Sequence, residues 1–319
     1  MRIVSLLPAA TEIVDALGMM EHLVGVSHEC NYPESANAKP HVTGCEIYGD
    51  HVSSRDIDQW VSQKLSKGED LFTINEAKLR ELRPDLILTQ RLCDVCAPAY
   101  GSVMALAQTL PGPPDVVNLE PNTLDDIFQN IQTVADHLGV SESGTRVIQS
   151  LRERVRYVEQ RVANVRRVPR VAVIEWLDPV FCSGHWTPEL VGIAGGQEVL
   201  GSAGRDSVRK TWAEVHAADP EILMIACCGQ TAARAVKDWD RLKTLPDVQA
   251  LSAVQTGNVF VADGNAYFSR PGPRVVDSLE ILAEVIHLER FAGAFPDRGW
   301  KRLAGPTSTL GLPATHAAR

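Results

Sequence analysis

The sequence predicts an α/β protein of two Rossmann-like lobes with parallel sheets, joined by a long rigid α-helix, with a ligand cleft between the lobes. Three observations carry that prediction. Residues 141–166 form the longest uninterrupted helical pattern. Val147, Ile148, Leu151, Val155, Val158, Val162 and Val165 recur three or four apart, Ser141 offers an N-cap, and Pro169 forbids continuation. At ~1.5 Å per residue such a helix reaches roughly 39 Å, the width of a domain. On either side of it the chain alternates short apolar runs with helical patterns, the signature of βα units and mainly parallel sheets. The segments Leu82-Arg83-Pro84-Asp85-Leu86-Ile87-Leu88 and Ala218-Asp219-Pro220-Glu221-Ile222-Leu223-Met224 repeat one scheme midway through each half: helix end, Pro, acid, buried strand. The division is residues 1–140 for the first lobe, 141–167 for the connecting helix, 168–292 for the second lobe, and 293–319 for an irregular tail rich in Pro, Gly, Ser and Thr. One helix inside a single large α/β domain is the alternative organisation.

In chain order, residues 2–6 read as a strand and 11–17 as a helix stopped by Gly18. Residues 23–27 are a strand running into SHECNYPE. Helical patterns at 56–65 and 75–82 precede the buried-type strand 85–89, which delivers the chain into QRLCDVCAP. A helix (100–110), a strand (116–119) and a helix (124–138) complete the first half. In the second, strand 171–176 enters LDPVFCSGHWTPE, strand 222–226 delivers CCGQT, and strand 259–262 enters DGNAYFSRPGP ahead of a long helix at 275–288.

Composition narrows the function classes. With 319 residues, 45% hydrophobic and 22% charged, the chain is an ordinary globular sequence with room for two cores. Its net charge of −9 and its lack of a Lys/Arg block argue against nucleic acid as a partner. No run approaches the ~20 apolar residues of a membrane span, so no membrane insertion is expected. The first strand begins almost at Met1, with no leader-like apolar core before it. A cytoplasmic location is therefore expected, or a periplasmic one if a leader has been removed.

In parallel α/β sheets, ligands bind beyond the carboxyl ends of the strands. The loops that leave the strands carry His28, Cys30 and Asn31; Gln90, Arg91, Cys93 and Cys96; His185 and Trp186; Tyr267, Phe268 and Arg270. Six of the seven cysteines sit just past a strand; Cys45 lies in a loop between elements. Several readings of the thiols stay open. Cys93 and Cys96 have ligand spacing, and with Cys45, His28, Cys30 or His185 they would make a zinc or iron–sulfur site, on a metalloprotein or an enzyme. The same pair fits redox chemistry. The thiols also fit a polarisable lining for an apolar ligand, or simple packing of small residues. Tyr32, Tyr48, Phe181, Trp186, Tyr267 and Phe268 lie in the same loops and suit a large flat ligand. Arg270 or Arg274 is placed to hold a carboxylate or phosphate. Thr11-Glu12 reads as a helix cap, and Asp178, Glu189 and Asp263 as caps and turn residues. No phosphate loop, dinucleotide fingerprint or nucleophile elbow is present.

SLLPAATEIVDALG followed by VGVSHECNYP, then RPDLIL, the connecting helix, PEILMI and AYFSRPGPR ahead of a long helix, resembles the class III periplasmic binding proteins, most closely their cobalamin-binding branch. The resemblance covers roughly residues 1 to 292. It implies two lobes, a small hinge motion, and non-catalytic binding of a cobalamin-like corrinoid, either as a substrate-binding protein with the membrane subunits of an ABC importer as partner or as an intracellular handling protein; a siderophore or haem is the other ligand class the family offers. It places Tyr32 on the branch's Tyr before Pro, and His185 and Trp186 in its second-lobe loop after a Ser-Gly pair. Tyr267 and Phe268 fall on an aromatic pair near the cleft and Arg270 on the Arg after that pair. Transporter docking in that family uses one acid per lobe. Glu76 stands near the first, and the second has no clear counterpart.

Overall fold

The computed structural model describes residues 1–47, 52–91, 97–295 and 299–303. The first half contains β1 (Ile3–Ser5), α1 (Pro8–Ala16), β2 (Leu23–Val26), β3 (Thr43–Cys45), α2 (Ser54–Ser66), β4 (Phe72–Ile74), α3 (Glu76–Leu82), β5 (Leu86–Thr89), α4 (Tyr100–Thr109), β6 (Asp115–Asn118) and α5 (Leu124–His137). Then comes α6 (Ser141–Val162). The second half has β7 (Arg170–Leu177), β8 (Val180–Cys182), α7 (Thr187–Ile193), β9 (Gln197–Glu198), β10 (Val208–Arg209), α8 (Trp212–Ala218), β11 (Ile222–Ile225) and α9 (Ala232–Leu242). It closes with α10 (Pro246–Gln249), α11 (Ser252–Gln255), β12 (Val259–Ala262), α12 (Val275–Ile286), α13 (Leu288–Phe291) and β13 (Trp300–Leu303).

The first lobe is built on a four-stranded parallel sheet ordered β2-β1-β5-β6. β1 and β5 are buried on both faces, which is why they read as unbroken apolar runs rather than alternating ones. The second sheet has seven strands, with β10-β8-β7-β11-β12-β13 along its path and β9 on β7. Its centre, β7-β11-β12, is parallel. Antiparallel strands are added at its margins: β8 returns on β7 through the Asp178-Pro179 turn, β10 runs antiparallel on β8, and β13 antiparallel on β12. The expectation of an irregular tail is corrected here. Residues 300–303 form an edge strand, pairing Trp300 with Ala262 and Leu303 with Val259.

Each sheet is covered on both faces. Val4, Leu6 and Ile87 face the α3 and α4 side of the first sheet; Ala172, Leu223 and Val261 face the α8–α11 side of the second. The opposite faces of both sheets share one apolar cluster. It runs from Ile3 and Leu88 through α1 and α5, across Leu151, Val155 and Val158 of α6, to Leu190 and the fully buried α12. α6 ends four residues short of the expected Arg166. It packs on α5 at Gly144, where a Cβ would fall 2.6 Å from Ala135 Cβ. It is fixed to the second lobe by Arg154, which donates to Asp277 (2.5 Å) and Glu280 (2.8 and 2.7 Å). Burial works against that guanidinium charge, but the two carboxylates outweigh it and hold its pKa above the usual value.

Candidate ligand-binding cleft

The carboxyl ends of β1, β2, β5 and β6 face those of β7, β11 and β12, and the loops leaving them meet between the lobes. At the centre of the contact on the α6 side stands Glu12. The helix that carries it begins at Pro8, where the ring's fixed φ suits the first turn. Thr11 and Glu12 are therefore inside α1 rather than its cap. The Thr11 hydroxyl turns inward to Ser5 (2.9 Å) and Cys30 (3.1 Å). Glu12, 2% exposed, accepts from Arg270 Nη1 (2.9 Å) and from Arg274 Nε (2.9 Å) and Nη2 (2.6 Å). The carboxylate expected for Arg270 or Arg274 is thus supplied by the chain itself.

Around this pair the structure gathers four of the residues named from sequence. Arg270 Nη2 donates to Asn31 Oδ1 of the first lobe (2.7 Å) and Asn265 Oδ1 of the second (3.0 Å). The Arg274 guanidinium lies 3.9 Å from the centre of the Tyr32 ring and 5.7 Å from that of Tyr267. Burial opposes the Arg274 charge; its hydrogen bonds and pairing with Glu12 more than compensate, so its pKa is raised. Gly272 lets the connecting loop lie on the start of α1, where a Cβ would sit 3.2 Å from Ala9 O. Arg270 Nε is buried without a hydrogen-bond partner among the described residues. Such an atom costs about 1–3 kcal/mol wherever nothing replaces its lost water.

A second contact joins β6 to the β8–α7 turn. His185 adopts a left-handed φ of 52°. Its backbone N–H donates to Arg205 O (2.6 Å), its Nδ1 faces Asn122 Oδ1 of the first lobe at 3.3 Å, and its ring stacks on Trp186. An amide oxygen only accepts, so it selects the Nδ1-protonated tautomer and leaves the Nε2 lone pair available. Desolvation lowers the His185 pKa and keeps it neutral near pH 7. The Ser-Gly pair before it is steric: a Cβ at Gly184 would fall 2.3 Å from Ser207 N. His28 is likewise held down in pKa by burial, with His41 adding to the effect; its Nδ1 lies 2.7 Å from Thr43 Oγ1.

A third contact was not legible in the sequence. Segment 52–58, at the start of α2, crosses to the second lobe. Ser54 N–H and Oγ–H both donate to Asp238 Oδ2, the former at 3.3 Å. Ser54 Oγ accepts from Gln230 Nε2 (3.2 Å), and Ser54 O accepts from Trp176 Nε1 (3.2 Å). Arg234 Nη2 donates to Val52 O (2.5 Å), Arg55 pairs with Asp178 (3.1 Å), and Arg209 pairs with Asp58 (2.8 Å). No helical periodicity announces these contacts, because they run through one serine, two backbone carbonyls and two charged side chains.

Other expected site residues are placed differently. Cys30 is 1% exposed within the main core, its sulfur contacted by Thr11 and Ser27, and burial pushes its thiol pKa up. Phe268 and Trp186 also belong to that core, so their rings are packing surfaces. Gln90 is buried at the end of β5 and Arg91 beside it is exposed. Cys182 and Cys227 are buried, the first with Leu200 O and Val208 O near its sulfur. The gathering of cysteines past strand ends thus reflects close packing for Cys30, Cys182 and Cys227. Cys45 is half-buried in β3, its thiol donating to Ile47 O at 3.6 Å. Among the described residues no three His, Cys, Asp or Glu side chains are grouped to hold a metal. Tyr48, Cys93 and Cys96 lie outside the described residues.

Residues 3–266 match the family model described as periplasmic binding protein. The chain belongs to the periplasmic binding protein family. Members of this family are the non-catalytic substrate-binding proteins of ABC transporters. Among curated proteins it is 23% identical over 280 residues to a vitamin B12-binding protein from Vibrio cholerae, covering 88% of this chain and 86% of that one. Its fold is that of the periplasmic vitamin B12-binding protein of Vibrio cholerae, with a TM-score of 0.66 at 22% identity, covering 90% of this chain and 96% of the other. It is equally that of the apo form of a periplasmic haem-binding protein from Roseiflexus, with a TM-score of 0.67 at 22% identity and coverage of 91% and 98%.

Proposed function

We propose that this chain binds a cobalamin-like corrinoid in the cleft between its lobes and presents it to the membrane subunits of an ABC importer. The observation that carries this reading is that Tyr32 and Tyr267, one ring from each lobe, both flank the Arg274 guanidinium, beside the buried Arg270 and its amide partners Asn31 and Asn265. A broad, partly apolar ring rimmed by amides takes such a site: its faces lie on aromatic rings and its edge meets a few fixed polar groups. The similarity to vitamin B12-binding proteins over most of both chains supports the same ligand class. Among the described residues no helix is long and apolar enough to cross a membrane. The periplasmic relatives favour the periplasm over the cytoplasm expected from the first residues.

A haem is the second reading. It is favoured by His185, whose neutral imidazole keeps a free Nε2 lone pair beside the first lobe, and by the haem-binding neighbour in fold. On the docking side, Glu76 opens α3 in an exposed position and pairs with Arg80 at 2.5 Å, so that pair must part for an importer to use the acid. The Cys93/Cys96 metal or iron–sulfur alternative draws no support from the described residues.

The test is a visible-range absorbance titration with hydroxocobalamin and, separately, haemin, followed by desalting. Corrinoid bands retained at one per chain, and lost in Tyr32→Ala with Tyr267→Ala, are the expected result. Retention of haemin alone transfers the assignment to haem, and retention of neither refutes both.

A further inference from the structure

We propose that residues 52–58 gate the interlobe cleft, and that Gln230 is the side chain for which gate and ligand compete. Docked, the segment holds the cleft shut on the side of the second sheet away from α6. The partners that place it there, Asp238, Gln230, Trp176, Arg234, Asp178 and Arg209, all belong to the second lobe although the segment belongs to the first.

The kind of contact makes this a gate rather than a fixed strut. Within α2 only Ser54 is buried; no apolar side chain of the helix enters a core. Its hold on the second lobe is a set of hydrogen bonds and ion pairs, which water replaces at small net cost. The α6 side is joined instead by a continuous apolar cluster and the buried Glu12 pairings, which water does not replace. Opening is therefore easy on one side and resisted on the other.

The role of Gln230 rests on donor arithmetic. Ser54 has one hydroxyl proton, and it goes to Asp238. Ser54 Oγ must then accept from Gln230 Nε2, which fixes the amide and leaves Gln230 Oε1 as a buried acceptor with no partner among the described residues. Arg270 Nε is the matching unpartnered donor, and Asn265 links the two loops: its N–H donates to Gln230 O (3.0 Å) and its Oδ1 accepts from Arg270. Among the described residues, Gln230 Oε1 and Arg270 Nε are thus a buried acceptor and a buried donor left without partners at this interface. Release of Ser54 frees Gln230 Nε2 to donate to a ligand carbonyl while Gln230 Oε1 accepts a ligand N–H, a pairing that a carboxamide offers in full. Ligand entry through this gate rests on the cleft being the binding site; the closure itself does not.

Both parts are tested on the full chain. Ser54→Ala/Arg55→Ala removes the hydroxyl and one ion pair without touching a core. In the absence of ligand, amide hydrogen exchange in segments 53–58 and 231–242 is expected to rise about tenfold, with β1 and β5 unchanged. Stopped-flow mixing with hydroxocobalamin is expected to show faster uptake, by a similar factor, and equal or tighter retention. Gln230→Ala is expected to show faster uptake and faster release. Unchanged exchange, or a rise that includes β1 and β5, overturns the gate, as does raised exchange with uptake at the parent rate. If neither protein takes up hydroxocobalamin while exchange rises only at the two segments, the closure stands and the corrinoid reading falls.

Discussion

Replacing Glu12 by Gln is the sharpest test of how the lobes are joined. The side chain is 1% exposed and accepts three hydrogen bonds from two guanidinium groups, both of the opposite lobe. The amide keeps the shape but removes the charge, and it turns one acceptor into an N–H that faces a guanidinium. Losing one partner of a buried ion pair costs about 3–5 kcal/mol. Arg270 retains Asn31 and Asn265, and Arg274, whose side chain is 15% exposed, regains water, so the low end of about 3 kcal/mol applies. For a chain of this size, at roughly 2 °C per kcal/mol, the melting temperature falls about 6 °C. Differential scanning calorimetry checks it. In a double-mutant cycle with Arg274→Ala, the combined loss is expected to be smaller than the sum, since both changes break one interaction. A melting temperature within about 1 °C of the parent, or strict additivity, would show that Glu12 carries no interlobe coupling.

Acid stability is set in part by the histidines. His28, His185 and His287 have their pKa values lowered, in each case first by burial. The folded state then binds fewer protons than the unfolded chain just below pH 6.5, so stability falls as pH drops through that window. His185→Gln is expected to flatten the profile in urea titrations run between pH 7.5 and 5. Glu29 and Glu198 work in the opposite sense: burial raises both, so their contribution is lost as pH rises above the ordinary carboxylate range. Gly184→Ala drives a Cβ into the backbone of residues 205–207 and is expected to cost about 1–3 kcal/mol, while displacing His185 and weakening ligand retention; circular dichroism melts and the absorbance titration read the two effects. In thiol labelling of the native protein, Cys30, Cys182 and Cys227 are expected to react only on unfolding, after the half-buried Cys45 and Cys228, as peptide mapping would show.

The architecture was legible where residue pattern and packing agree. The α6 stripe found its buried face at Leu151, Val155 and Val158, and the two Pro-acid-strand segments became β5 and β11 at the centre of each sheet. The β8 return was missed because a two-residue turn at Asp178-Pro179 leaves VFC too short to show alternation. β13 was missed because an edge strand faces water and tolerates the charges of WKRL. Asn31, Tyr32, Tyr267 and Arg270 were named from their positions just past strands, and the structure brings them together beside Arg274. Glu12 was not marked, because a single acid near a helix start looks like a cap until its partners 258 and 262 residues away are known. The cysteines misled because a small buried residue at a strand end and a ligand-facing one occupy the same sequence position.

The apolar cluster that runs unbroken from β1 through α6 to α12 sets the size of the cooperative unit. Neither 1–140 nor 168–303 carries its own complete interior: cut apart, the first would bare Ile127, Ile131 and Val134 and the second Leu279, Leu282 and Val285. Two halves that look like separate domains on a topology diagram therefore melt as one body. Fragments expressed alone are expected to expose that apolar surface and aggregate.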